Sequence, residues 1–349
     1  MIGSMFIALL GATGYTGELV LRRGRELGLQ LRLVGRNEKA LAALTRSGED
    51  YAVADARDED ALRLAFDGAS VVASCAGPFL QLGDAPIRAA IHVGAHYLDT
   101  SGEQAFARLV YERHAEAARE RGVVLLTCFG FDYVPGDLAA RVAAIGLEPV
   151  DEIVVAYSVQ GVSTSAGTRR TMGRVIRQPQ AAFANGILVE SHFGATTRRV
   201  RFPFGERDVV EWGGTEPFTV PRHTNVRNVR SYVRASKLVA RSAGLARVAA
   251  PLVRLAGSVG SGPDERRRAR GRFVVVAEAR RPAGGRRVTL TGSDPYGLTA
   301  LLIAHGAEAL AKGEVLGSGA LAPAEAFDAR ELIAEFGPLL RLDSETDLF

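Results

Sequence analysis

Apolar residues in the first 130 positions follow two alternating rhythms. Short, nearly unbroken runs are "MFIALLG", "LQLRLVG", "DYAVAD", "ASVVASCAG", "HYLDTSG" and "GVVLLTCFG". Between them, at 15–28, 37–46, 58–67, 84–94 and 103–121, the chain reads as helix. Continuous apolar runs predict strands buried on both faces, and a 3.6-residue period predicts helices packed over them. The alternation is that of a βαβ series, so the expected class is α/β, a Rossmann-type doubly wound parallel sheet.

The rhythm changes near Val150. "VDEIVVAYSVQG" predicts a first long strand of a second region, with further strands at 197–202 and 207–212. "GRFVVVAEARR" and "RRVTLTGSD" predict a hairpin turning at Pro282-Ala283-Gly284-Gly285. Pro295 to about Lys312 reads as helix, a short acidic tail follows, and "SGPDERRRARGR" at 261–272 reads as loop. The expected division is a Rossmann domain over 1–147, an α+β domain over 148–294, and a helical segment over 295–349 that packs back on the first domain.

Composition narrows the class. The 349 residues are 47% hydrophobic and 23% charged, as in an ordinary globular protein of two domains or of one domain with a large insertion. Only Lys39, Lys237 and Lys312 are lysines, so arginine carries nearly all the positive charge behind a net +4. Cys75 and Cys128 each sit in an apolar run, which points to buried thiols in a reducing cytosol. The N-terminus runs directly into a strand, with no signal peptide expected, and no stretch reaches the roughly 18 apolar residues of a membrane span. A cytoplasmic location is expected, with a peripheral position at the inner face of a membrane as its variant.

The first run ends in "GATGYTG". Gly11, Gly14 and Gly17 stand three apart, and Ala12 replaces the first glycine of a G-x-G-x-x-G fingerprint. A glycine at 14 allows a pyrophosphate to approach the backbone, and one at 17 allows close helix–strand packing. The helix that follows offers amides and a positive dipole end. Gly11, Ala12, Thr13, Gly14, Tyr15, Thr16 and Gly17 are therefore candidate phosphate-binding residues. The second strand ends at Gly35, Arg36 and Asn37, where NAD-binding sheets usually carry an acid. An arginine cannot accept from a ribose hydroxyl but pairs with a 2′-phosphate, so Arg36 and Asn37 favour NADP(H). Asp55, ending the third strand, is placed for an adenine contact or a helix cap. Ala76, Gly77 and Pro78 follow the fourth strand and should face the ribose and nicotinamide.

Several chemistries are absent. None of the eight tyrosines has lysine four residues later, so the Tyr-x-x-x-Lys pair of short-chain dehydrogenases is missing. His92 and His96 have no cysteine or carboxylate set to complete a metal site, so no metal is expected. There is no Gly-x-Ser-x-Gly elbow and no Walker lysine.

"GATGYTG", "VGRN", "CAGPF", "YLDTSGE" and "CFGFDYVPGD" occur in that order. This set resembles the saccharopine dehydrogenase-like oxidoreductases, and within them the bacterial trans-acting enoyl reductases. The resemblance covers about 1–145 and continues more weakly in "TSAGTRRTM", where Ala166 replaces a family glycine, and in "SDPYGLTA". It implies a Rossmann domain binding NADP(H), a second domain that forms the substrate wall and often a homodimer contact, and oxidoreductase activity. In the enoyl reductase branch it implies an unsaturated acyl substrate made by a polyketide synthase.

Reducing a C=C bond requires a hydride, a proton donor and a group to polarise the enolate oxygen. Tyr133, Tyr157 and Tyr296 are possible donors. Tyr133 could equally be a packed side chain anchoring the turn between the domains. Asp132 and Arg169 are candidate substrate contacts. Thr168, Arg169 and Arg170 follow a glycine turn into a helix and read as possible anion or substrate contacts. Asp99 could lie on the nicotinamide side, and Asp137 could serve only to complement a helix start.

Residues 217–263 hold seven arginines, one lysine and no acid. Within them 235–256 reads as a basic amphipathic helix, suited to an anionic membrane, an acidic acyl carrier, or simply the surface of the second domain. No nucleic-acid partner is expected, because the basic residues lack interleaved aromatics. The two functional classes left are an NADPH-dependent reductase of C=C or C=N bonds, saccharopine-type chemistry among them, and a non-catalytic NADP(H)- or lipid-associated protein.

Overall fold

The computed structural model describes residues 6–162, 164–165, 176–235, 262–315 and 317–349. They divide into two compact units, Met1–Phe131 with Tyr296–Leu321, and Asp132–Pro295 with Ala322–Phe349.

The first unit is built on a seven-stranded parallel sheet. Its strands are β1 (Phe6–Leu10), β2 (Leu31–Gly35), β3 (Asp50–Val53), β4 (Ala69–Ser74), β5 (His96–Asp99), β6 (Val124–Leu126) and β15 (Gly319–Ala320), in the order β15-β6-β5-β4-β1-β2-β3. The order reverses between β1 and β4, which makes the crevice at their carboxyl ends the topological switch point. Both faces of the sheet are buried, as the apolar runs require. Ala8, Val34, Val72 and Tyr97 pack with Leu62, Phe66 and Ile87 on one side. Ile7, Leu9, Leu31 and Ala73 face Val20, Ile303 and Ala304 on the other. The helix Pro295–Lys312 supplies Ile303 and Ala304 to that face. The run at 103–121 is helical throughout but carries one π turn, Val110–His114.

The second unit has a nine-stranded mixed sheet. Its strands are β7 (Val150–Gln160), β8 (Gln180–Ala184), β9 (Ile187–Ser191), β10 (Thr197–Phe202), β11 (Gly205–Glu211), β12 (Val226–Arg234), β13 (Arg272–Arg281), β14 (Gly284–Ser293) and β16 (Leu340–Leu348). The main order is β10-β11-β12-β7-β13-β14-β16, with β8 and β9 branching from β12. β7 and β12 run parallel and the other pairings are antiparallel. The helix Val134–Ala144 covers β7, β13 and β14 and is buried along nearly its whole length.

Three expectations are corrected. The first unit ends at Phe131 rather than 147, because the helix Val134–Ala144 packs on the second sheet. The tail 322–349 joins the second unit instead of the Rossmann domain, because β16 pairs along β14. The segment 261–272 contains the short helix Glu265–Arg270, whose N-terminus Asp264 caps through the Arg267 amide. The basic stretch 235–256 lies, beyond its first residue, outside the described residues.

Candidate functional site

The glycine turn sits at the switch point, between β1 and the helix Tyr15–Glu26. Gly11 has φ +82°, a left-handed backbone that favours glycine. A Cβ there would also lie 3.0 Å from the Ala76 nitrogen at the end of β4. Gly17 is tighter: its Cβ would stand 2.1 Å from the Gly11 carbonyl oxygen. Both glycines therefore let helix, turn and sheet close up, and Ala12 is simply buried between them. Gly14 is exposed, and a Cβ there would find only the Gly11 oxygen, at 3.3 Å. No side chain caps the helix at Gly14. The Gly14 amide donates back to Gly11 O (3.0 Å), and the helical ladder begins with Glu18 N–H donating to Gly14 O at 2.8 Å, which leaves the Thr16 and Gly17 amides in the first turn of the helix. An uncapped, glycine-lined helix start at a switch point fits a dinucleotide pyrophosphate.

At the ends of β2 and β3 the structure brings Arg36 and Asp55 together. Ala54 N–H donates to Gly35 O (2.9 Å), which sets the two strand ends side by side. Arg36 is 71% exposed, with Nη1 3.9 Å from Asp55 Oδ2. Asp55 is bound by a residue that sequence reasoning missed, Arg57. Arg57 donates to it from Nε (3.0 Å), Nη2 (2.9 Å) and its backbone amide (2.9 Å). That fork holds the Asp55 carboxyl down at about 2. Asn37 caps the next helix, its Oδ1 accepting from Ala40 N–H at 3.1 Å, so that oxygen is committed to the fold.

Ala76 and Pro78 are half-buried and Gly77 is exposed, at the carboxyl end of β4. Buried Glu103 fixes the turn they form, accepting from the amides of Phe79 (2.7 Å) and Leu80 (3.3 Å). Asp99, ending β5, is fully buried. Its Oδ1 accepts from Ser101 N–H (2.8 Å) and Cys128 N–H (2.9 Å), and burial raises its carboxyl to about 6. Asp99 therefore ties the β5 and β6 loops together. The Cys75 thiol is pushed up to about 12, chiefly by burial, and remains a thiol at neutral pH. Tyr296 packs edge-on against Tyr15, ring centres 5.1 Å apart, which brings the start of the helix Pro295–Lys312 beside the glycine turn. In the same unit Thr299 Oγ1 accepts from Phe131 N–H at 3.1 Å.

The other candidates lie in the second unit. Tyr133 is 1% exposed, donates to Gly213 O (3.3 Å) and stacks on Trp212, all within the second unit. The Tyr157 hydroxyl donates to Glu216 at 2.6 Å, and both are buried. Asp132 is exposed. Asp137 is buried, with Oδ1 on His223 Nε2 (3.0 Å) and Oδ2 accepting from Ala324 N–H (2.9 Å). Burial raises the Asp137 carboxyl, but the attraction of His223 and the hydrogen bonds outweigh it and hold the group below its ordinary value. Thr168, Arg169 and Arg170 lie outside the described residues.

A seven-stranded parallel sheet with a glycine turn at its switch point defines a Rossmann dinucleotide-binding protein. Residues 11–143 match the family described as NAD(P)H-binding. The chain is 30% identical over 185 residues to a lipid droplet localized protein of Caenorhabditis elegans, covering 48% of this chain and 43% of that one. It is 30% identical over 152 residues to a bovine saccharopine dehydrogenase-like oxidoreductase, covering 38% and 35%. The chain thus spans less than half the length of these curated relatives. Saccharopine dehydrogenase (L-Glu forming) from Saccharomyces cerevisiae, in its apo form, matches over 99% of this chain and 100% of its own, with a TM-score of 0.65 and 12% identity. The architecture is the saccharopine dehydrogenase fold. The matched family supports a nicotinamide cofactor.

Proposed function

We propose that this chain is an NADP(H)-dependent oxidoreductase that reduces the C=C bond of an apolar or acyl-chain substrate. The observation that carries this reading is the uncapped helix start at Gly14, with Arg36 exposed just past the carboxyl end of β2. Bound there, the nicotinamide would supply a hydride to one carbon of the double bond. The protein's part is to bind, orient and protonate. The Gly14 turn and the amides at the helix start bind the pyrophosphate. Arg36 pairs with the 2′-phosphate. The Ala76–Gly77–Pro78 turn, braced by Glu103, orients the ribose end. Tyr296 is the candidate tyrosine that lies in the same unit as the glycine turn, and its hydroxyl is the donor for the second carbon, recharged from solvent. The similarity to a lipid droplet localized protein supports an apolar substrate.

A second reading is a protein that binds NADP(H) without turnover. The burial of Tyr133 and Tyr157, two of the three candidate donors, favours it. The test is NADPH oxidation at 340 nm with a panel of enoyl thioesters of rising chain length. Oxidation of any member, lost in Tyr296→Phe, is the expected result. Tight NADPH binding with no oxidation across the panel favours the second reading. Turnover that depends on an amino acid and a keto acid would move the chemistry to C=N bonds.

A further inference from the structure

We propose that Arg57 determines cofactor selectivity, by holding Asp55 away from Arg36 and adding a second cation to the 2′-phosphate site. The inference rests on the NADP(H) reading above and concerns residues at the ends of β2 and β3.

An acid at this corner works against a 2′-phosphate in two ways. It repels the phosphate, and it pairs with the arginine that should receive it. Asp55 is placed to do both, with Oδ2 only 3.9 Å from Arg36 Nη1. At that separation the pair is a loose ion pair without a hydrogen bond, while Arg57 holds the three close contacts. Oδ1 accepts from the Arg57 amide (2.9 Å) and Nε (3.0 Å), and Oδ2 accepts from Nη2 (2.9 Å). This is the two-pronged guanidinium–carboxylate geometry, which a lysine cannot reproduce. With its carboxylate saturated on the Arg57 side, Asp55 leaves Arg36 projecting into solvent at 71% exposure. Arg57 itself is 65% exposed, so both guanidinium groups remain reachable by an anion. The three side chains sum to one positive charge. Without Arg57 they would sum to zero, and Asp55 would present a free acceptor of the kind that binds a ribose 2′-hydroxyl.

The role is one of positioning and specificity, so the decisive readout is a ratio. Dissociation constants for NADPH and NADH are measured by calorimetry on the full-length wild type, Arg57→Ala, Arg57→Lys and Asp55→Asn. Wild type should prefer NADPH. Arg57→Ala should weaken NADPH by roughly tenfold or more while NADH holds or tightens, the effect of losing one charge-assisted contact and releasing an acid. Arg57→Lys should recover only part of the preference. Asp55→Asn should raise the preference above wild type. Equal weakening of both cofactors in Arg57→Ala would make the residue a structural brace and overturn the proposal. An unchanged ratio would overturn it too, while leaving the NADP(H) reading intact. A wild type without preference for NADPH would refute that reading itself.

Discussion

Glu216 gives the sharpest test of how the second unit is held together. It opens the helix Glu216–His223 and is 0% exposed. Its carboxyl accepts from the Tyr157 hydroxyl at 2.6 Å and from the Ser231 hydroxyl at 2.6 Å. Neither partner is a cation. Gly136 and Gly214 close the space around it, for a Cβ on either would fall within 2.3 Å of a Glu216 oxygen. Burial therefore raises the carboxyl from 4.5 to about 7. A group whose folded value lies above its unfolded one contributes stability that is complete below the unfolded value. That contribution is lost as pH climbs towards the folded value. At about 1.36 kcal/mol per pH unit the whole effect is about 3 kcal/mol, and about 2.5 kcal/mol of it disappears between pH 5 and pH 8. Glu216→Gln removes the titration and keeps the side chain's shape. The assay is urea unfolding followed by the fluorescence of Trp212, the lone tryptophan, whose ring lies 5.8 Å from those of both Tyr133 and Tyr157. The stability of wild type minus that of the variant should fall by about 2.5 kcal/mol from pH 5 to pH 8. Other titrating groups, such as Asp99, cancel in that difference. If the two proteins change in parallel with pH, Glu216 is ionised in the folded state and the reasoning is wrong.

Two further outcomes follow from the geometry. Gly17→Ala should lower both the melting temperature and NADPH affinity, the latter roughly tenfold or more, since its Cβ would collide with the Gly11 oxygen at 2.1 Å. Thermal melting with and without NADPH checks this. His223→Ala strips a buried carboxylate of its partner and should cost about 3 kcal/mol at pH 7 in urea unfolding. In wild type the Asp137 carboxyl lies below its ordinary value, so its stabilisation is present at neutral pH and lost as pH falls. The variant should lose that acid sensitivity.

The first unit was largely legible because its signals are local. Apolar runs bounded by glycines become buried parallel strands, and the spacing of Gly11, Gly14 and Gly17 encodes a steric demand that the structure meets within one turn. The hairpin was legible for the same reason: alternating residues flank a turn, and Arg281 pairs with Gly284. What escaped depends on partners far along the chain. β16 reads as an acidic tail because most of its residues face solvent, and only its pairing with β14, some 50 positions earlier, makes it a strand. Asp137 reads as a helix-start acid, yet its main partner is His223, 86 residues on. Glu216 gives no sequence signal, since its partners come from β7 and β12. Arg57 was the nearest miss. It stands two residues from Asp55, and only the side-chain geometry shows that the pair acts as one group.

The interleaving of the two units governs how the chain must be made. The helix Pro295–Lys312 and β15 complete the first unit, but a ribosome releases them only after residues 132–295. Until then the side of the sheet carrying Ile7, Leu9 and Leu31 has no cover from Ile303, Ala304 and Ala307. The nascent first unit therefore keeps this face only partly covered, by Val20 of the helix Tyr15–Glu26, while the intervening residues are synthesised. A gene fragment that stops at residue 131 would freeze it in that state. A rearranged gene that joins residue 131 directly to 296 would restore the missing cover in one continuous stretch of translation.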